Sequence, residues 1–204
     1  MPENQTQDQA PSSELILSIR NRGKAIPYFG SDKRPDGNEN HGFKALKGHT
    51  EDAGLVPEIL DNTALRNAVI TLNDPSTPFF TIGCAKSCNR EDSGYWMKGY
   101  LEFSFNYIEF ASDARYYFEL FFHFNDWFRQ QFQRAMVGYH FELEGAIFTD
   151  KSSAHGFTST VWIRTLTLAT EEETKGAWAW ALNLLVEFLK TVPVNLSLRD
   201  QIYL

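Results

Sequence analysis

Cysteine is scarce in this chain and long apolar runs are missing, and both absences narrow the class of protein. Only 2 of the 204 residues are cysteines, Cys84 and Cys88, four positions apart. A structural zinc site takes about four ligands, usually supplied as two pairs, and no second pair exists. The spacing could support a disulfide or a redox pair, but we expect a free, partly buried pair. No segment approaches the ~20 apolar residues of a membrane span, so no membrane association is predicted.

The local signatures of common enzyme classes are absent as well. The sequence has no G-x-x-x-x-G-K-[ST] phosphate loop, no G-x-G-x-x-G, no H-E-x-x-H and no G-x-S-x-G. Active sites assembled from distant segments leave no such trace, so an enzyme is disfavoured but stays open. No cofactor and no metal ion are predicted.

The chain also has no overall excess of basic residues, and this bears on whether it binds nucleic acid. The chain carries a net charge of -7, and residues 20–49 alone reach a net of +4, with seven Lys or Arg against three Asp or Glu. An acidic protein is a poor non-specific ligand of nucleic acid, so nucleic acid is an unlikely partner. We expect the basic segment to dock onto the acidic remainder of the chain. The polar N-terminus lacks the apolar region of a signal peptide, which predicts a cytoplasmic protein.

Composition divides the chain into three parts. Residues 1–14 are rich in Gln, Ser and Pro and predict a mobile polar tail. Residues 15–66 are predicted to be a loop-rich basic segment because Gly, Pro, Asn and Asp are frequent, as in GSDKRPDGNENHG. Residues 67–204 are predicted to form an α+β domain.

Regular elements begin after Pro57. A short helix is expected over 57–69, followed by strands at 69–72 and 78–85. Residues 99–110 and 137–148 alternate between apolar and polar side chains, which predicts two strands, and the β-branched stretch 156–169 predicts a third. Residues 112–133 form an apolar arc at 100° per residue, as an amphipathic helix does. A capping box from Thr170 to Glu173 opens a second helix that ends near Lys190, and 194–204 is a possible closing strand.

The element order is therefore β-α-β-β-α, with a possible closing β, as in split βαβ or ferredoxin-like arrangements. We predict an α+β fold: a twisted antiparallel sheet with two amphipathic helices on one face, preceded by a loop-rich N-terminal segment. Two helices on one face leave the other face uncovered. The order itself carries little functional information.

Polar residues of the three strands would share the uncovered face. The carboxylates and the imidazole could hold a divalent cation or act as general acid and base. The guanidinium of Arg164 could bind an anionic group of a substrate, and the indole of Trp162 could stack on a ring. Any half-buried strand alternates, so a solvated face or an isologous dimer interface explains the pattern without a site. The candidate ligand-binding residues are Glu102, His140, Glu142, Glu144, Trp162 and Arg164.

Aromatic residues make up 15% of the chain, including 17 Phe and 5 Trp. Phe122 falls within the polar arc of its helix and Trp180 lies at the edge of the buried stripe, so both are candidate partner contacts. The sequence therefore favours a non-enzymatic protein-interaction module that self-associates, with a homodimer plausible, or binds a protein partner. The alternative is a small-molecule-binding domain or enzyme that uses Glu102, His140, Glu142 and Arg164.

Overall fold

Five strands and four α-helices make up the described part of the chain. The computed structural model describes residues 15–31, 39–131, 137–150 and 153–192. The strands are β1 (Leu15–Ile26), β2 (Phe79–Glu91), β3 (Gly94–Phe105), β4 (Val137–Phe148) and β5 (Ala154–Thr165). The helices are α1 (Thr63–Asn73), α2 (Ile108–Ala111), α3 (Ala114–Gln131) and α4 (Glu171–Lys190), with short 3-10 helices at Thr50–Leu55 and Pro57–Ile59. The α+β class is confirmed.

The strands form one mixed sheet in the order β1-β4-β5-β3-β2. β1 runs parallel to β4, and the other neighbours are antiparallel. The prediction of a purely antiparallel sheet is therefore wrong, because a parallel neighbour can come from far along the chain and leaves no local signal. The ferredoxin-like arrangement is not established, since β2 occupies the edge beside β3 and the predicted closing strand near 194–204 lies outside the described residues.

β1 lies where the sequence predicted a loop-rich segment. Leu17 packs against the core and Ile26 is fully buried, but basic residues interrupt the apolar pattern between them. Arg20 and Lys24 pair with carboxylates on β3 and β4. These partners are distant in sequence, so the local pattern around β1 resembles that of a charged loop. The division of the chain at residue 66 remains a prediction, as does the mobility of residues 1–14, which lie outside the described residues.

Two other local predictions are wrong. Residues 69–72 belong to α1, whose N-cap Asn62 accepts a hydrogen bond from the Leu65 backbone N–H at 2.8 Å. The buried stripe of this helix follows helical spacing through Leu65, Ala68, Val69 and Leu72, and that packing outweighs the β-branched composition. The strand predicted over 99–110 ends at Phe105, and residues 108–111 form α2.

Tyr139 of β4 joins the sheet to two helices. Its ring centroid lies 4.9 Å from that of Phe124 in α3, and its Oη donates to the Ala181 carbonyl of α4 at 2.8 Å. Trp178 of α4 is fully buried and lies over Gly99, where an added Cβ would come within 2.4 Å of the indole ring. The predicted capping box at the start of α4 is confirmed. Within the described ranges no helix is long and apolar enough to cross a membrane.

Candidate functional site

The sheet register brings the six predicted ligand-binding residues onto one face. Thr160 of β5 pairs with Glu142 of β4 on one side and with Glu102 of β3 on the other. One step along the strands, Trp162 pairs with His140 and with Tyr100. The same face extends to Glu144 at one end of β4, beside Thr158, and to Arg164 at the other end, on β5 beside Gly138.

Basic residues of β1 neutralise the carboxylates of this face. Arg20 Nη2 lies 2.7 Å from Glu142 Oε1, and Lys24 forms ion pairs with Glu102 and, at 3.2 Å, with Glu144. Glu102 and Glu142 are each only 7% exposed, so unpaired charge there would be costly. These contacts agree with the expectation that basic residues near the N-terminus dock onto acidic ones. One lysine serves two carboxylates, so Lys24, Glu102 and Glu144 together carry one negative charge.

The other predicted residues also have protein partners. A hydrogen bond of 2.7 Å joins Ser18 Oγ and His140 Nε2, and Trp162 Nε1 donates to Glu142 Oε2 at 2.9 Å. The Arg164 guanidinium stacks on a neighbouring indole, 4.5 Å from the Trp96 ring centroid. Nowhere in the described ranges do three or more His, Cys, Asp or Glu form a group suited to a metal ion.

A cleft of about 760 Å³ opens beside this network, at the edge of the sheet formed by β2. Residues 39–61 form its outer wall, and its volume falls within the range of small-molecule sites. Only Trp162 among the predicted residues lines it, and sequence reasoning missed the others because they come from separate segments. The lining includes Tyr28, Glu58, Gly83, Tyr100 and Trp162.

Irregular pairing in β2 shapes the floor of the cleft. The register between β2 and β3 shifts between Thr81 and Gly83, as it does at a β-bulge, and Gly83 then pairs with Glu102. The Tyr28 side chain reaches across from the segment after β1, and its Oη donates to the Ile82 carbonyl at 2.9 Å.

Three oxygen atoms converge over Gly83. A Cβ added to this glycine would lie 3.2 Å from Tyr28 Oη, 3.6 Å from Glu102 Oε2 and 3.7 Å from Tyr100 Oη. The ion pair with Lys24 uses the other carboxylate oxygen, Oε1, of Glu102. Among the described residues, neither Glu102 Oε2 nor Tyr100 Oη has a hydrogen-bond partner. Two oxygens without a partner among the described residues therefore lie close to Gly83: Tyr100 Oη, in the cleft lining, and Glu102 Oε2, beside the lining.

The cleft floor is buried and electrically negative. Burial, with a smaller contribution from the Glu102 carboxylate, raises the pKa of Tyr100 to about 12. The Tyr28 pKa is also raised, first by burial and then by Glu102, with a smaller effect of Glu58. Both phenols therefore keep their protons near neutral pH, and the surrounding charge disfavours any additional anion.

The cysteine pair cannot be bridged within its strand. Cys84 and Cys88 both lie on β2 and are free. Four residues of extended strand span about 13 Å, whereas a disulfide needs Cα atoms within about 7 Å. Burial raises the pKa of the Cys84 thiol to about 12. The expectation of a free pair is confirmed.

The two predicted partner contacts lie on the protein surface. Phe122 is 58% exposed and Trp180 is 39% exposed. Three other exposed apolar residues neighbour the cleft lining in sequence. Phe29, which is 94% exposed, follows Tyr28. Leu55 precedes Val56, and Leu60 precedes Asp61. A contact with a partner stays a prediction for Phe122 and Trp180.

Comparison with protein-family models finds no match to this chain, and comparisons with curated proteins and solved structures find none either. The proposals below therefore depend on the geometry of the cleft.

Proposed function

We propose that this protein is a non-enzymatic binding module that holds a small organic ligand in the cleft over Gly83. The observation that carries the proposal is the convergence of Tyr28 Oη, Tyr100 Oη and Glu102 Oε2 over a residue without a side chain. Concave sites with a few convergent polar groups and an aromatic wall are the usual form of small-molecule sites. Trp162 and Tyr100, with ring centroids 4.7 Å apart, supply that wall.

The chemistry of the floor favours binding over catalysis. A general base must be deprotonated near the working pH, but the raised pKa values keep both phenols protonated. The Cys84 thiol is protonated for the same reason and is a poor nucleophile. Glu102 and Glu142 are already engaged in ion pairs with basic residues of β1.

A thermal-shift screen of a chemically diverse compound set tests this proposal. In Gly83→Ala the new Cβ crowds Tyr28 Oη at 3.2 Å, so binding should weaken while the fold is kept. Gly145→Ala is the matched control, because nothing lies within 4 Å of its added Cβ. Compounds should raise the Tm of the wild type and of Gly145→Ala, but not that of Gly83→Ala. A screen without hits, or hits that stabilise all three proteins equally, would count against a ligand site here.

A protein-interaction module that self-associates is the second candidate, and the exposed apolar side chains around the cleft favour it. Phe29, Leu55 and Leu60 are large and exposed on two neighbouring segments, as at many interfaces. Light scattering over a concentration series should then show a mass that rises above that of one chain, and Phe29→Ser should reduce the rise. A constant monomer mass would rule out self-association under those conditions.

A further inference from the structure

We infer that the ligand of the cleft carries a primary ammonium group, which the oxygens over Gly83 receive. This inference rests on the proposed function and names the chemical class of the ligand. It follows from the hydrogen-bonding capacity of the floor, its charge and its aromatic wall.

Hydrogen-bond capacity is the first argument. Tyr28 Oη gives its proton to the Ile82 carbonyl and can only accept a further hydrogen bond. Glu102 Oε2 belongs to a carboxylate and is also an acceptor. Tyr100 Oη keeps its own proton but can accept as well, so three oxygens that can accept a hydrogen bond lie near Gly83. An ammonium group has three donors and no acceptor, and it matches this set.

Charge is the second argument. Glu58 lines the cleft and forms no ion pair within the described part of the chain. The lining also holds two lysines and two further acids: Lys86 pairs with Asp61 at 2.8 Å, and Lys44, whose Nζ donates to the His41 carbonyl at 2.9 Å, is offset by Glu39. The shared lysine under Glu102 leaves one further negative charge, so a cation is attracted and an anion is repelled.

The aromatic wall is the third argument. Tyr28, Tyr100 and Trp162 present ring systems to the cleft, and aromatic rings attract ammonium groups through their negative faces. Lys98 Nζ already lies 4.1 Å from the Trp162 ring centroid, so the rings of Tyr28 and Tyr100 carry this argument. A polyol could also stack on this wall and donate to the floor, but it would gain nothing from the negative charge.

Matched probes separate these classes on the 204-residue chain. Butylammonium, butanol and butyrate share one chain and differ in the head group, and methyl glucoside represents polyols. Binding is followed by calorimetry and by the NMR shift of the Gly83 backbone amide. We expect butylammonium to bind at least about ten-fold more tightly than each of the other probes.

Variants place the ammonium group on the floor. Glu102→Gln should weaken butylammonium binding by about ten-fold or more, and Tyr100→Phe by about five-fold, because each removes one acceptor or its charge. Gly83→Ala should weaken it as well, and Gly145→Ala should leave it unchanged. Circular dichroism and Tm confirm that each variant is folded.

The outcomes distinguish this inference from the proposed function. If butanol, butyrate or methyl glucoside binds as tightly as butylammonium, and Gly83→Ala blocks that binding, the cleft is a ligand site but the ammonium class is wrong. If butylammonium does not bind, or binds Gly83→Ala as well as the wild type, the inference is overturned. The proposed function then stands or falls on the compound screen.

Discussion

Lys47 extends into the turn that follows α1, where its ammonium group is buried with a complete set of acceptors. Its Nζ donates to the Asp74 carbonyl at 2.7 Å, to the Thr77 carbonyl at 2.7 Å and to Thr77 Oγ1 at 3.1 Å. Buried carbonyl groups without a donor are costly, so this lysine ties the loop before α1 to the turn after it. These three hydrogen bonds give Lys47 a structural role.

Replacing this lysine should destabilise the protein. Lys47→Met keeps the length of the side chain but leaves the Thr77 and Asp74 carbonyls without their donor. We expect the free energy of unfolding to fall by about 1–3 kcal/mol. Urea denaturation measures it, and Lys175→Met in an exposed pair on α4 should change it far less. Equal losses in the two variants would contradict the structural role.

The same lysine should make stability depend on pH. Burial lowers the Lys47 pKa from 10.5 to about 8 in the folded protein. Between these values the unfolded chain holds a proton that the folded chain has released, so stability rises with pH across this window. The difference in unfolding free energy between wild type and Lys47→Met should therefore grow from pH 8 to 10.5. A constant difference in urea titrations across that range would contradict the lowered pKa.

At the scale of elements, β1 is held to the sheet by backbone pairing with β4 and by the charges of Arg20 and Lys24. The basic side chains lie over carboxylates that come from β3 and β4. Glu102 and Glu142 are shielded, so the basic residues of β1 offset a charge that would otherwise be costly there. The ion pairs therefore help to fix the position of β1, and they use Glu102 Oε1, which leaves Oε2 near Gly83.

A double-mutant cycle tests this coupling. Lys24→Met should lower the free energy of unfolding by about 1–3 kcal/mol, because two shielded carboxylates lose their cation. In the background of Glu102→Gln and Glu144→Gln the same substitution should cost less, with a coupling of about 0.5–3 kcal/mol. Lys190→Met, which breaks an exposed pair on α4, is the control. Additive losses in urea denaturation would show that the ion pairs do not position β1.

At the scale of the whole molecule, the described chain forms one sheet whose edges come from its first and second strands. β1 pairs with β4, which is separated from it by more than 100 positions, and residues 39–61 wall the cleft beside β2. The sequence predicted an independent α+β domain over 67–204, and this arrangement argues that such a fragment lacks necessary partners.

Truncation tests that expectation. A 67–204 fragment loses β1 with Arg20 and Lys24, so β4 loses its parallel neighbour and Glu102 and Glu142 lose their cationic partners. We expect it to lose cooperative thermal unfolding, as measured by calorimetry. Deletion of residues 1–14, which the sequence predicts to be a mobile tail, should leave Tm unchanged. A fragment that unfolds cooperatively near the Tm of the full chain would support the boundary predicted from sequence.

Local pattern was sufficient for some features. Alternation over 137–148 placed His140, Glu142 and Glu144 on one polar face, and the Thr170–Glu173 spacing located the start of α4, because these signals depend only on neighbouring residues. The partners of that face required the tertiary structure. Lys24 and Glu102 lie 78 positions apart, and Tyr28 and Ile82 lie 54 apart. Strand register and the packing of distant segments bring such groups together, and neither leaves a mark in local sequence.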